Sequence, residues 1–364
     1  MTTIGILGAG QLGRMLALAG IPLGLRFRFL DPVIDSPAGQ VAEHIVAAYE
    51  DAQAVQRFTA GLDVLTFEFE NVSLELLRSL ETSVPVLPRP LALEKSQDRF
   101  IEKSFFKSLG IPTPDFAEVN SKTDLDEAVR KLGLPAVLKT RRLGYDGKGQ
   151  FVLKTASDID PAWTALGSTP LILEKWVSFQ RELSVLGARG RDGRTEFYPL
   201  AENHHRDGIL RLSLAPAPNL MLELQAKAEG YAQSVMAALD YVGVLAIELF
   251  QVGDQLIANE MAPRVHNSGH WTIEGAVTSQ FENHIRAVAG LPLGSTRAPG
   301  SSAMINIIGE MPDPKAILKV DGAHLHVYGK EPRPGRKLGH VTLVERNRGP
   351  LYEKLHLLKG LIDK

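Results

Sequence analysis

Two glutamates stand twelve residues apart, Glu248 after the apolar run VLAI and Glu260 after LIAN. Val252-Gly253-Asp254 lies between them and reads as a hairpin turn with Gly253 and Asp254 at its tip. Two neighbouring antiparallel strands would bring the carboxylates side by side at one end of a sheet. Paired hard oxygen ligands suit Mg²⁺, which usually takes one or two carboxylates together with the phosphates of a nucleotide. Arg264, His266, Asn267, Ser268, Gly269 and His270 follow directly, a run rich in anion-binding and acid–base groups. A surface hairpin with solvated acids would carry the same letters, so the rest of the chain has to decide.

Upstream, Lys139 closes the apolar strand pattern LPAVLKT. The glycine-rich stretch Gly144-Tyr145-Asp146-Gly147-Lys148-Gly149-Gln150 follows, and then a second strand pattern, FVLK. A glycine loop between two strands, without the G-K-[ST] ending, is not a Walker loop. It suits a hairpin lid whose amides and Lys148 fold over phosphates; a merely flexible hairpin is the plainer alternative. The strand PLILEKWV carries Glu174, Lys175, Trp176 and Val177, which could offer an acid and backbone groups to the edge of an adenine. Glu182 alternates with Leu183 and Val185 as a strand residue facing a cleft would. His204 and His205 sit in a polar stretch without a third ligand at metal spacing, which makes them hydrogen-bonding residues rather than zinc ligands.

The N-terminal strand TIGIL breaks at Gly8-Ala9-Gly10-Gln11-Leu12-Gly13 and a helical run follows. This is G-x-G-x-x-G in a strand–helix context, where backbone N–H groups can hold phosphate. Asp31, ending the strand LRFRFLD, stands where a dinucleotide fold places its ribose-binding acid. A dinucleotide, the phosphate of a smaller ligand, and simple close packing all remain compatible with that loop. Glu68 and Glu70 end the strand VLTFEFENV and at period two point the same way. Near the C-terminus, Lys330, Arg333, Arg336, Lys337 and His340 form a basic turn stiffened by Pro332 and Pro334, able to clamp a phosphate or simply to be solvated.

The elements that must position these residues are those of a mixed α/β chain. A helix is expected from about Ala92 to Leu109, and Gly110-Ile111-Pro112-Thr113-Pro114 reads as a linker into a second unit. A helix over about 225–239 with the stripe Ala226, Ala228, Val235, Met236 and Leu239 reads as core packing, and residues 301–364 as a small, separate β-rich unit. With 364 residues there is room for two or three domains with buried cores. A formal charge of −2 implies no bulk attraction to nucleic acid or acidic membranes. The absence of cysteine excludes disulfides, thiolate metal sites and cysteine nucleophiles. No apolar run approaches the roughly 20 residues of a membrane span, and the N-terminus shows no basic leader. A soluble, cytoplasmic protein is the expectation.

Four motifs occur in order: GAGQLGRML, GYDGKGQ, NEMAPRVHNSGHW and RPGRKLGH. Together, over about residues 4–345, the chain resembles the 5-(carboxyamino)imidazole ribonucleotide synthases of the ATP-grasp superfamily. The resemblance implies an ATP-grasp fold: a Rossmann-like pre-ATP-grasp domain over 1–110, a small lid subdomain over 111–180, a large subdomain over 181–300 and a β-rich domain over 301–364. It implies ATP contacts at Arg99, Lys139, residues 144–150, Glu174 to Val177, Glu182, His205, Asn259 and Glu260, with Glu248 and Glu260 as Mg²⁺ ligands. Gln11 and Leu12 would then face the phosphate side of aminoimidazole ribonucleotide rather than NAD. Lys330 and Arg336 would help to hold that phosphate, and Glu68 or Glu70 would face the substrate. Arg264, His266 and Asn267 would bind bicarbonate and the carboxyphosphate made from it, with Lys139 acting on the transferring phosphoryl group. Homodimers are common in the family.

Overall fold

The computed structural model describes residues 1–144 and 147–362. Three sheets organise it. The first is parallel and built from β1 (Thr3–Leu7), β2 (Arg26–Asp31), β3 (Glu43–Val46) and β4 (Val64–Phe67), in the order β3-β2-β1-β4. Strands β1 and β4 are almost wholly buried, as the unbroken apolar runs TIGIL and VLTF require of strands covered on both faces. The strand order reverses between β1 and β4, which opens a crevice at their carboxyl ends.

The second sheet is antiparallel: β5 (Phe116–Val119), β6 (Ala136–Thr140), β7 (Gln150–Leu153) and β8 (Leu171–Lys175), ordered β5-β8-β6-β7. Lys139 pairs with Gln150 across the β6–β7 hairpin, so the glycine loop is the hairpin's tip. Tyr145 and Asp146 of that loop lie outside the described residues.

The third sheet has nine strands: β9 (Arg181–Arg189), β10 (Thr195–Phe197), β11 (Ala201–Arg206), β12 (Ile209–Ala215), β13 (Gly243–Val252), β14 (Gln255–Ala262), β15 (Ser301–Ile308), β16 (Ala323–Val327) and β17 (Lys337–Glu345). The C-terminal unit is therefore not structurally separate, because β15 pairs antiparallel with β12 and continues the sheet. A helix over Arg348–Ile362 covers that extension.

The helix expected over 92–109 is two helices, Pro90–Ser96 and Arg99–Ser108. Asp98 divides them: it accepts from Phe100 and Ile101 N–H as an N-cap and is gripped by Arg141 at 2.8 Å. The linker is not a free tether, since Pro112 C=O accepts from Ala258 N–H at 2.7 Å and Ile111 is buried. The long helix runs over Leu222–Ala238 with Leu224, Ala228, Ala232, Val235 and Met236 inward, while Ala226 is exposed.

Candidate functional site

The hairpin forms as its letters require, with the two-residue turn Gly253-Asp254, Gly253 at φ 60°, and Glu248 paired directly with Glu260. The pair lies mid-strand at the sheet's edge rather than at a strand end, and a register shift after Glu248 bends the ladder there. Asn259 donates to Glu248 Oε2 at 3.4 Å, and Arg99 donates to Glu260 Oε2 at 2.7 Å. Burial and the neighbouring Glu260 push the Glu248 carboxyl up to about 7. Burial acts the same way on Glu260, but the Arg99 guanidinium overrides it and holds that carboxyl at about 2.

A divalent cation would relieve this like-charge pairing. The buried Oδ1 of Asn259 has no hydrogen-bond partner among the described residues, which adds a third hard oxygen beside the two carboxylates. Among the described residues no group of three His, Cys, Asp or Glu converges on a metal position. Two carboxylates with one amide oxygen suit Mg²⁺, which keeps several positions for water and phosphate.

These groups line a cavity of about 710 Å³ where the three sheets meet. Of the residues expected at the site, Gln11, Leu12, Glu68, Glu70, Arg99, Lys139, Gly144, Gly147, Gln150, Trp176, Glu182, His205, Glu248, Asn259, Glu260, Arg264, His266 and Asn267 line it. Lys148, Gly149, Glu174, Lys175, Val177, Lys330 and Arg336 are not part of its wall. Arg99 also donates to Gly144 C=O at 3.2 Å, which ties the β6–β7 loop to the Glu248–Glu260 pair. His205 Nδ1 is hydrogen-bonded to Glu182; burial opposes charge on the ring, but this partner holds its pKa above the ordinary value.

Glu174 is not offered to a base edge. It is buried, and its Oε2 accepts from Lys139 at 2.9 Å and lies 3.6 Å from Lys103. Lys103, which sequence reasoning missed, is buried and also donates to Asn259 C=O, joining the second sheet to the hairpin that carries the acids. Burial, reinforced by Lys139, lowers its pKa.

The glycine loop differs most from expectation. Glu68 lies just past the end of β4, with its carboxylate inside the loop: Oε1 accepts from Gly10 N–H, and Oε2 from Gly13 N–H at 2.6 Å. A Cβ on Gly10 would lie 2.5 Å from Glu68 Oε1, so the glycine admits a protein carboxylate rather than a ligand phosphate. Asp31 is likewise engaged, accepting from Ala9 N–H at 2.9 Å and Val33 N–H at 2.8 Å, so the dinucleotide reading loses both its anchors. Glu70 does not share Glu68's direction; it pairs with Arg264 at 2.8 Å and so draws the polar tail toward the first sheet.

In the basic turn, Lys330 donates to Gln11, and Arg336 donates to Glu331 C=O at 3.1 Å. His340 is not in the turn. It is buried within β17, stacked 4.4 Å from His326. The cavity also gains Lys337, Tyr328, Asn203, Glu102 and the stacked rings of Phe179 and Phe250, 4.6 Å apart. Apart from the charge of Lys337 in the basic turn, nothing local in the sequence marked these positions.

The tail is held from both sides. Asn267 and Asn306 exchange amide hydrogen bonds at 3.1 and 2.6 Å, and Asn306 also donates to Leu210 C=O at 2.9 Å. Burial and the adjacent Arg264 hold the His266 pKa down at about 3.

Three family models match the chain: a ribonucleotide synthetase preATP-grasp domain over 1–97, an ATP-grasp domain over 104–281 and a phosphoribosylaminoimidazole carboxylase C-terminal domain over 302–354. The N5-carboxyaminoimidazole ribonucleotide synthase of Pseudomonas aeruginosa is 54% identical over 360 residues, 99% of each chain. The crystal structure of N5-carboxyaminoimidazole ribonucleotide synthetase from Thermus thermophilus is 58% identical, with a TM-score of 0.96 over 99% of each chain. That of the Aspergillus clavatus enzyme, in complex with ADP and 5-aminoimidazole ribonucleotide, is 34% identical, with a TM-score of 0.91 over 100% of this chain and 98% of that one. With an ATP-grasp core between a preATP-grasp domain and the matching C-terminal domain, the chain belongs to the N5-carboxyaminoimidazole ribonucleotide synthase family.

Proposed function

We infer that the chain catalyses the ATP-dependent carboxylation of 5-aminoimidazole ribonucleotide to 5-(carboxyamino)imidazole ribonucleotide, a carbon–nitrogen ligation in purine biosynthesis. The observation that carries this reading is the convergence in one cavity of the Glu248–Glu260 pair, Lys139, and the tail Arg264–Asn267 beside the crevice of the first sheet. ATP would lie between the second and third sheets, under the β6–β7 loop. Bicarbonate would be the carboxyl source: its oxygen attacks the γ-phosphorus, ADP leaves, and carboxyphosphate forms. The exocyclic amine of the ribonucleotide then takes the carboxyl carbon, and phosphate is released.

The protein's contribution is positioning and charge. Lys139, Arg99 and Arg264 line the same cavity as the hairpin acids, so the first two would offset negative charge on the transferring group and Arg264 would hold an anion. Mg²⁺ held by Glu248 and Glu260, with Asn259 Oδ1 at hand, would polarise the phosphoryl oxygens. A closing loop excludes water from a short-lived acyl phosphate. Gln11, Leu12 and Glu68 at the crevice, with Lys330 behind Gln11, would receive the ribonucleotide.

The division into units at 1–110, 111–180, 181–300 and 301–364, the last two sharing the third sheet, belongs to the same proposal, as does a cytoplasmic homodimer, on the family resemblance. Among the described residues no helix is long and apolar enough to cross a membrane. Phosphate release is the test, measured with ATP, bicarbonate and the ribonucleotide and with each omitted in turn. Release should need all three, and release indifferent to the ribonucleotide would overturn the assignment.

A further inference from the structure

Behind His266 a file of buried hydroxyl and amide groups crosses the nine-stranded sheet. Ser213 on β12 donates to Asn203 Oδ1 at 2.7 Å, and Asn203 on β11 donates through Nδ2 to Ser184 Oγ at 3.0 Å. Ser184 on β9 donates to Ser268 Oγ at 2.8 Å, and Ser268 Oγ lies 2.9 Å from His266 Nδ1. All four of these residues are buried.

The polarity of the file follows from donor chemistry. An amide N–H cannot accept, so Ser184 receives from Asn203 and keeps its own hydrogen for Ser268, whose own hydrogen is left for another acceptor, the ring nitrogen among them. From the opposite end, the backbone N–H of Ser268 points at the same ring nitrogen at 3.4 Å, and a backbone N–H only donates. The backbone N–H therefore makes Nδ1 the acceptor, and the Ser268 hydroxyl can give its hydrogen to the same atom. A ring that accepts on Nδ1 carries its one hydrogen on Nε2, the atom 3.7 Å from Glu248 Oε1 in a ring that lines the cavity.

We propose that Ser268, Ser184 and Asn203 are positioning residues that hold His266 as its Nε2–H tautomer, so that the ring donates to the bicarbonate-derived anion and stays out of the metal's ligand set. The proposal rests on the reading of Arg264–Asn267 as the bicarbonate pocket. A bare Nε2 beside Glu248 would compete for the cation and repel an anionic oxygen. An N–H does the opposite, and it does so without reorientation when charge develops.

Nitrogen-15 NMR of the histidine rings in the full chain reads the tautomer directly, with His266 assigned by its loss in H266Q. Wild type should show an unprotonated Nδ1, and S268A should show a second tautomer; a hydrogen on Nδ1 in wild type overturns the proposal. In ribonucleotide-dependent phosphate release, S268A should lower kcat about tenfold, the effect of one misaligned hydrogen bond, with an unchanged KM for ATP. S268T, which keeps the hydroxyl, should recover most of that loss. Wild-type kinetics in S268A, or S268T as slow as S268A, would also overturn it. S268C, nearly isosteric but a weak donor, should behave like S268A and is read in its place should S268A fail to fold; wild-type kinetics in S268C overturn the proposal equally. The spectrum does not depend on turnover, so a wrong tautomer and a wrong reaction are told apart.

Discussion

Glu68 accepts a hydrogen bond from the backbone N–H of Gly13 at 2.6 Å, across 55 residues of sequence, so the chain's own carboxylate fills the loop that reads as a phosphate cradle. A helix N-terminus attracts any anion, and a protein acid satisfies it as well as a phosphate does. Glu68→Gln keeps the shape but replaces one acceptor with an N–H₂ group facing an N–H. It should cost about 1–3 kcal/mol, visible as a lowered midpoint in urea unfolding. The wild-type chain should show no NADH binding by fluorescence, because the amides are already taken. Quenching of NADH fluorescence at micromolar protein would show that the loop is open after all.

The hairpin acids set the second prediction. Glu260→Gln removes one of two facing carboxylates and the charge that Arg99 is bonded to at 2.7 Å. Turnover should fall about a hundredfold or more, the scale of losing a metal ion's charge stabilisation, and the Mg²⁺ concentration for half activity should rise. Circular dichroism and melting should stay near wild type, since loss of the charge bonded to Arg99 is offset by relief of the like-charge pairing with Glu248. A variant as active as wild type would remove Glu260 from the proposed Mg²⁺ ligands.

How far the sequence reached depended on distance along the chain. The hairpin was legible because its turn, apolar runs and acids fall within twenty-four residues, so local periodicity fixed their pairing. The partner of Glu68 was not legible: an acid just past a strand looks the same whether it meets solvent, substrate or a distant glycine loop. Nor was the joining of β15 to β12, because a ladder between strands far apart leaves no local signal. Asp98 could have been recognised, since an Asp two residues before an apolar pair is a helix-start pattern that argues against one long helix. The family likeness supplied the tail's assignment, which no spacing rule gives.

Lys103 sets the third prediction. Its ammonium is buried, 3.6 Å from Glu174 Oε2 and bonded to Asn259 C=O, so it joins the second sheet to the acid-bearing hairpin. Lys103→Met leaves Glu174 with Lys139 alone and Asn259 C=O without this donor. Breaking a buried pair from one side costs about 3–5 kcal/mol, measurable by urea unfolding, and the KM for ATP should rise as Lys139 is drawn further onto Glu174. Adding Glu174→Gln should return part of the stability. A single variant within about 1 kcal/mol of wild type, the range of an exposed ion pair, would show that the contact is not a buried linkage.

His284 gives the pH dependence. Its Nδ1 accepts from Val244 N–H at 3.1 Å, which places the ring hydrogen on Nε2 facing Thr66 Oγ1 at 2.9 Å. The ring thus bridges β4 of the first sheet and β13 of the third. Protonating Nδ1 would set two donors against each other in a buried site, and burial holds the pKa at about 4, below the ordinary 6.5. Between those values the unfolded chain binds the proton and the folded chain does not, so acid favours unfolding. The stability this residue contributes is complete above about pH 6.5, declines as pH falls, and is gone below about pH 4, a change of about 3 kcal/mol. His284→Gln can accept from Val244 and donate to Thr66 without titrating. Urea unfolding from pH 7.5 to 4 should show the wild type losing stability faster than the variant, with the gap narrowing only within that window. Parallel curves would mean that the ring is already charged, or already solvated, where the two sheets meet.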